Sequence, residues 1–363
     1  MIDRVQLVNF RRHVDTTVPL TQFTLLVGDN SSGKTSVLQA LHLAGLAAVK
    51  DRRDVFSAEQ ALAVLRRQSA TTPMTIELRG DEGGEPWTFA LCAPSDDLDA
   101  MGFRRDPTDA QEEDNALIGS PYPVSAVDAA LSAAFLRFEA ARLAEPSTSD
   151  AVTPRIEHDG YGLATVLQWI LGQEPERFQA IVGALRRVVP ELVSVRIQRR
   201  EQQRRRTRRH TLDGQEIALT EPERFIAEEV SLRFTDSQWL PAHAVSEGTM
   251  LALGILTLLH APEPPRVVLI DDLDRALHPR AQGELVAMLR DVLRQAPRTQ
   301  IVATSHSPYM ADHFSPDAVV VISRPDGGDT VARPLSEHPD QKLLAAMTTG
   351  EFLHASGAGW YWR

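Results

Sequence analysis

Phe23-Thr24-Leu25-Leu26-Val27-Gly28-Asp29-Asn30-Ser31-Ser32-Gly33-Lys34-Thr35, residues 23–35, runs from a short apolar segment into a loop of small residues that ends in Lys-Thr. The segment 23–27 has the length and composition of a buried strand, and from Ser36 to Val49 the spacing turns helical. Between them Gly28–Thr35 matches Gly-x-x-x-x-Gly-Lys-[Ser/Thr], in the strand–loop–helix setting the motif needs. Glycines there let successive backbone N–H groups curl around a phosphate, and the helix starting near Lys34 adds the positive end of its dipole. Lys34 is expected to bridge two phosphates of a nucleotide and the Thr35 hydroxyl to ligate Mg2+. A Gly/Ser turn spelling the motif by chance is the plain alternative, and the flanking strand and helix argue against it.

Such a loop needs a carboxylate at the end of a neighbouring strand. Val267-Val268-Leu269-Ile270-Asp271-Asp272 supplies one: Asp271 is the candidate metal ligand, and Asp272, one residue on, is placed to polarise an attacking water. Asp274 adds to the acidic field. Taken alone, the hexapeptide reads as a turn and a helix cap before Pro279; beside the glycine loop it reads as its acidic partner. Past a further buried strand, Gln300–Thr304, comes Thr304-Ser305-His306-Ser307-Pro308, where His306 is placed to contact the terminal phosphate. Ser246-Glu247-Gly248-Thr249 opens a strongly apolar helix over Met250–Leu259; an N-cap accounts for Ser246 and the acid behind it but not for the glycine.

The 363 residues, 43% of them hydrophobic, can fill one large or two ordinary cores. A net charge of −11 argues against a general polyanion or membrane-surface binder without excluding a local basic patch. Cys92 is the single cysteine, so no internal disulfide or thiolate metal site forms, which suits a reducing compartment. With a charged start and no long apolar span, a soluble cytoplasmic protein without a membrane partner is expected. Lysines occur only at 34, 50 and 342 in an arginine-rich chain, which singles out Lys34.

Buried strands alternating with helices at both ends of the chain predict an α/β fold: a mostly parallel core sheet, an antiparallel β subdomain and a helical insertion. Residues 1–92 are expected to hold the first part of this head, including a hairpin of Thr75–Arg79 with Trp87–Leu91 across an acidic turn. Residues 93–123 read as an acidic flexible insert, and 124–240 as a helical and hairpin insertion, with helical spacing from Val124 to Val189. Residues 241–363 complete the head, with strands at 318–323 and 329–333.

Together these pieces resemble the ABC ATPase family of P-loop NTPases, in the branch of RecF-like, SMC-like and OLD-like heads rather than transporter heads. Val245-Ser246-Glu247-Gly248-Thr249 is similar to the signature of that family, Val8-Asn9-Phe10-Arg11-Arg12 to the Asn-Phe-Arg opening of its RecF-like heads, and Leu277-His278-Pro279 to the Leu-His-Pro after their acidic strand. Phe138–Arg142 and Asp159–Leu163 resemble less specific patterns of OLD-like ATPases. The resemblance implies ATP and Mg2+ as cofactors, with ATP contacts from Arg11, Arg12, Gly28, Asn30, Ser31, Ser32, Gly33, Lys34, Thr35 and Ser36, and Mg2+ on Thr35 and Asp271. It also implies catalytic roles for Asp272 and His306, and a homodimer in which Ser246, Glu247, Gly248 and Thr249 meet the ATP of the other subunit. DNA metabolism or antiphage defence, with a separately encoded nuclease or toxin as effector, follows as the expected setting.

The sequence departs from the family at Asp272, where glutamate is usual, so hydrolysis is expected to be slow or partner-activated. A non-hydrolytic, ATP-dependent scaffold is the rival reading. A transporter subunit is disfavoured by the Asn9-Phe10-Arg11 opening and the long insertion, and too few residues follow 318–323 for the TOPRIM nuclease of OLD-like proteins. The basic run Arg196–Arg209, with Arg204, Arg205, Arg206, Arg208 and Arg209 at its centre, leaves three readings open: a DNA or RNA backbone contact, a solvated hairpin edge, or a dock for an acidic partner.

Overall fold

A computed structural model describes residues 1–49, 74–82, 84–93, 102–104, 133–212, 215–235, 238–261, 263–325 and 328–356. Two compact units emerge, one from Met1–Leu136 with Pro265–Arg363, the other from Arg137–Pro264. The architecture is mixed α/β, with one mostly parallel sheet and two antiparallel ones. Among the described residues, no helix is long and apolar enough to cross a membrane.

In the first unit, β1 (Ile2–Phe10), β2 (His13–Pro19), β4 (Met74–Glu82), β5 (Glu85–Ala93) and β6 (Gly102–Arg104) form an antiparallel sheet in the order β2-β1-β4-β5-β6. The β4–β5 hairpin pairs Thr75 with Cys92 and Glu82 with Glu85, so Gly80–Glu82 and Glu85–Pro86, read from sequence as an acidic turn, are strand residues instead. Most of 93–123 lies outside the described residues; the part within them, β6, pairs with β5. The second sheet of this unit holds β3 (Phe23–Val27), β7 (Ala133–Leu136), β11 (Val267–Ile270), β12 (Gln300–Thr304), β13 (Val319–Ser323) and β14 (Val331–Pro334) in the order β14-β13-β3-β12-β11-β7. All its pairings are parallel except β13 with β14. Residues 133–136, read as helical from sequence, are thus a strand beside β11. Ala-Ala-Phe-Leu is too short to carry a period of its own, and pairing along a sheet edge overrides the helical preference of alanine.

The helix α1 (Lys34–Val49) carries no acid, arginine or further lysine after Lys34, and its only polar side chains beyond the first turn are Gln39 and His42. Its environment explains why. Val37, Leu38, Leu41 and Ala44 share one core with Val5, Leu7, Ile76 and Leu78 of the antiparallel sheet and Leu26, Leu269, Val302 and Ile322 of the parallel one. Strands β3, β11, β12 and β13 are buried along their full length, as unbroken apolar runs in a covered parallel sheet should be.

The second unit contains α2 (Ala140–Leu143), α3 (Leu163–Gln173), α4 (Pro175–Val188), the long strands β8 (Leu192–Leu212) and β9 (Gln215–Phe234), β10 (Trp239–Pro241) and α5 (Glu247–Leu259). Residues 241–264, expected with the C-terminal part of the head, belong to this unit because α5 packs on α2, α3 and α4. A Cβ on Gly254 would stand 2.6 Å from Leu143 Cδ2, which shows how closely α5 and α2 approach. Returning to the first unit, α6 (Pro279–Gln295) is followed by α7 (Pro308–Ala311), α8 (Gln341–Ala346) and α9 (Thr349–Ser356).

Candidate functional site

The loop after β3 is built on backbone conformations that its residue types allow. Gly28 has φ +145°, and a Cβ there would lie 2.0 Å from the carbonyl oxygen of Ile322. Gly33 has φ +115°, and its missing Cβ would meet Nε2 of His13 at 2.7 Å. Asp29, Asn30 and Ser31 are exposed, whereas Ser32, Lys34 and Ser36 are buried. Lys34 is only 5% exposed, and its Nζ donates to the carbonyls of Gly28 at 2.8 Å and Asp29 at 2.9 Å. Burial lowers the pKa of this ammonium against the opposing charges of Asp272, Asp271, Asp29 and Asp274. Among the described residues this buried cation is hydrogen-bonded only to neutral carbonyls, beside the buried and partnerless Ser32 hydroxyl, and the carboxylates act on it as nearby charges rather than as hydrogen-bond partners. The donor set therefore fits a phosphate chain.

The acidic strand end lies alongside. Thr35 Oγ1 donates to the Asp271 carboxylate, 3.1 Å from Oδ1 and 3.3 Å from Oδ2, so the hydroxyl and carboxylate expected to share Mg2+ are adjacent. Thr304 Oγ1 also donates to Asp271 Oδ1, at 2.8 Å. Asp272 sits at φ +56°, a left-handed conformation that non-glycine residues seldom adopt. Burial and the neighbouring Asp271 charge raise its pKa, with His306 and Lys34 pulling the other way. His306 Nε2 is 3.8 Å from Asp272 Oδ1, and the His306 backbone N–H donates to Asp274 Oδ1 at 3.2 Å. Gly28–Ser36, Asp271, Asp272, Asp274 and His306 thus converge within one unit.

In the second unit, Ser246 is the N-cap of α5: its Oγ accepts from the Thr249 N–H at 3.4 Å and lies 2.8 Å from Thr249 Oγ1. Ser246 and Glu247 are exposed, and Gly248, Thr249 and Met250 are buried behind them. Ser246 and Glu247 of the polar cluster therefore face solvent, on a helix whose body, from Gly248 onward, is largely core.

Residues 114–312, more than half of the chain, match the family model described as "AAA domain, putative AbiEii toxin, Type IV TA system". The protein belongs to this AAA-domain family. Residues 1–79 match a second model, "AAA ATPase domain". The fold is similar to that of an Smc head bound to the C-winged-helix domain of ScpA, with a TM-score of 0.59 at 12% identity over 95% of this chain and 99% of that one. It is also similar to an Smc head with an extended coiled coil, bound to a ScpA C-terminal domain derived from Pyrococcus furiosus, with a TM-score of 0.56 at 11% identity over 95% and 98%. A 69-residue stretch is 32% identical to the Septu protein PtuA of Bacillus thuringiensis, covering 19% of this chain and 17% of that relative.

For an AAA-domain ATPase, three supports of the site were not evident in the sequence. His13, fully buried on β2, donates from Nε2 to the Gly33 carbonyl at 3.2 Å; burial holds its imidazole pKa down at about 4 against that bond, and Nδ1 has no partner. The Thr330 hydroxyl lies 3.2 Å from the Arg12 carbonyl and 3.4 Å from that of Ser32, and so ties the β1–β2 turn to the loop. Gln282 on α6 accepts from Ser307 Oγ at 2.9 Å, next to His306. Each reaches the site from a distant part of the chain, so no local pattern reports it. Arg11, half-buried at φ +50°, has a partnerless Nε, while Arg12 beside it is exposed.

The basic run forms part of β8, an edge strand whose partner β9 carries the opposite charge. Arg199 pairs with Glu228 at 3.3 Å, Arg200 with Glu229 at 3.2 Å and Arg224 with Glu201 at 3.3 Å, while Arg196 stacks 4.2 Å over Trp239. Further out, the register sets Arg204 opposite Glu223 and Arg206 opposite Glu221; the side chains of Arg204, Arg205, Arg206, Arg208 and Arg209 lie outside the described residues.

Proposed function

We propose that this protein binds and hydrolyses ATP with Mg2+, forms a homodimer around two Mg-ATP, and passes the resulting change of conformation to a separately encoded effector, a nuclease or toxin, in antiphage defence. The observation that carries the reading is the buried Lys34 ammonium, hydrogen-bonded among the described residues only to the Gly28 and Asp29 carbonyls, in a loop whose Thr35 hydroxyl meets Asp271. Lys34, the loop N–H groups and Arg11 hold the phosphates. Thr35 and Asp271 hold magnesium, which supplies positive charge to the phosphate oxygens. Asp272, its proton affinity raised by burial and by Asp271, orients the attacking water and accepts its proton, while His306 beside it donates to the terminal phosphate. The tip of α5, with Ser246 and Glu247 exposed and Gly248 and Thr249 buried behind them, is the part read as meeting the ATP held by a second copy, since the positive end of the helix dipole lies there.

The similarity to PtuA supports the defence setting. At the base of the arginine hairpin Arg199 and Arg200 are paired with Glu228 and Glu229, and this reading assigns no role to nucleic acid. The test is light scattering of Asp272→Ala at saturating Mg-ATP: a stable dimer is expected, and a monomer with bound ATP sinks the sandwich. A second reading, an ATP-dependent switch without turnover, is favoured by the short acid at 272; steady-state phosphate release separates the two.

A further inference from the structure

Asp272 has to be held in its left-handed conformation, and one residue does most of the holding. Thr304, at the end of β12, is 1% exposed and lies in the strand between β3 and β11, with Thr304 opposite Leu26 and Ala303 opposite Ile270. The Asp272 N–H donates to its Oγ1 at 2.8 Å, and the Leu273 N–H to its carbonyl at 2.9 Å. The same Oγ1 donates to Asp271 Oδ1 at 2.8 Å. Because the hydroxyl oxygen already accepts from Asp272, its single hydrogen is left for Asp271. One oxygen therefore fixes both the direction of the Asp271 carboxylate and the backbone that carries Asp272.

We propose that Thr304 is a positioning residue, the link that sets Asp271 and Asp272 in register with the phosphate loop. The proposal rests on the ATPase reading above. Thr35 Oγ1 lies 3.1 Å from Asp271 Oδ1, the oxygen Thr304 also holds, and 3.3 Å from Oδ2, which Thr304 does not touch; Thr35 and Asp271 are the pair that would hold the metal. Valine has the shape of threonine but neither donor nor acceptor, so Thr304→Val frees the Asp271 carboxylate and leaves the Asp272 N–H unpaired; serine retains both bonds.

The experiment measures ATP binding by calorimetry across a Mg2+ series and in EDTA, with turnover alongside, for wild type, Thr304→Ser and Thr304→Val. Thr304→Val is expected to raise the half-saturating Mg2+ concentration by about tenfold, the scale of one lost hydrogen bond to a charged group. Its ATP affinity in EDTA should match wild type, because Lys34 and the loop amides are untouched. Thr304→Ser should follow wild type. A Thr304→Val protein with wild-type Mg2+ dependence overturns the proposal, and so does a Thr304→Ser protein as impaired as the valine, which would mean that the methyl group matters through packing alone. Should the valine variant fail to fold, hydrogen exchange on the wild type decides: a protected Asp272 amide supports the link, and a rapidly exchanging one overturns it. A wild type without Mg2+-dependent ATP binding removes the ATPase reading itself, and the positioning role with it.

Discussion

Lowering the pH should weaken this protein through His13, by an amount its environment sets. The ring is fully buried beneath Gly33, its Nδ1 has no acceptor for a second proton, and its pKa is lowered from 6.5 to about 4. The unfolded chain therefore takes up a proton near pH 6.5 that the folded chain refuses until about pH 4. Stability from this residue is complete above pH 6.5, falls as pH drops toward 4, and is constant below. At 1.36 kcal/mol per pH unit the whole interval amounts to about 3 kcal/mol, and about 2 kcal/mol is already lost at pH 5. Urea unfolding of wild type and His13→Phe between pH 7.5 and 5 isolates the effect, since carboxylates titrate alike in both. Wild type should lose about 2 kcal/mol more than the variant over that range. Parallel stability curves would refute the buried, neutral ring.

Three other outcomes follow from the site. Lys34→Ala should weaken ATP binding by about a hundredfold, since a desolvated ammonium with two phosphate contacts is lost, as calorimetry can check. Gly28→Ala should destabilise the fold by about 2 kcal/mol in urea and abolish nucleotide binding, because the added methyl meets a backbone carbonyl that cannot step aside. Ser246→Arg, at the exposed helix tip, should leave ATP affinity within about twofold, as surface changes away from a site do, and abolish the Mg-ATP dimer seen by light scattering.

The loop Gly28–Thr35, the acidic strand end and His306 could be singled out in the sequence because each is a short run whose proposed chemistry demands fixed spacing: glycines where the backbone would approach a phosphate, a lysine and threonine at the helix start, acids where an apolar strand stops. The parallel sheet was legible for a similar reason, since strands such as Val267–Ile270, covered on both faces, cannot be anything but unbroken apolar. Less legible were short elements and supports. Ala133–Leu136 became a strand only through its neighbour β11, and α5 joined the second unit only through its packing on α2, α3 and α4. Sequence left three readings of the basic run Arg196–Arg209 open, and only pairing with β9 shows it as the edge strand of a hairpin, with a glutamate beside several of its arginines.

By itself, then, the order of residues singled out the groups proposed to bind a nucleotide, because that chemistry depends on neighbours within a few peptide bonds. Only the tertiary structure decided what holds those groups in place: His13 under Gly33, Thr330 at Ser32 and Thr304 on both acids. Hydrogen bonds between residues 20, 298 and 32 positions apart leave no periodic trace in a sequence, since their partners are brought together by sheet order and register.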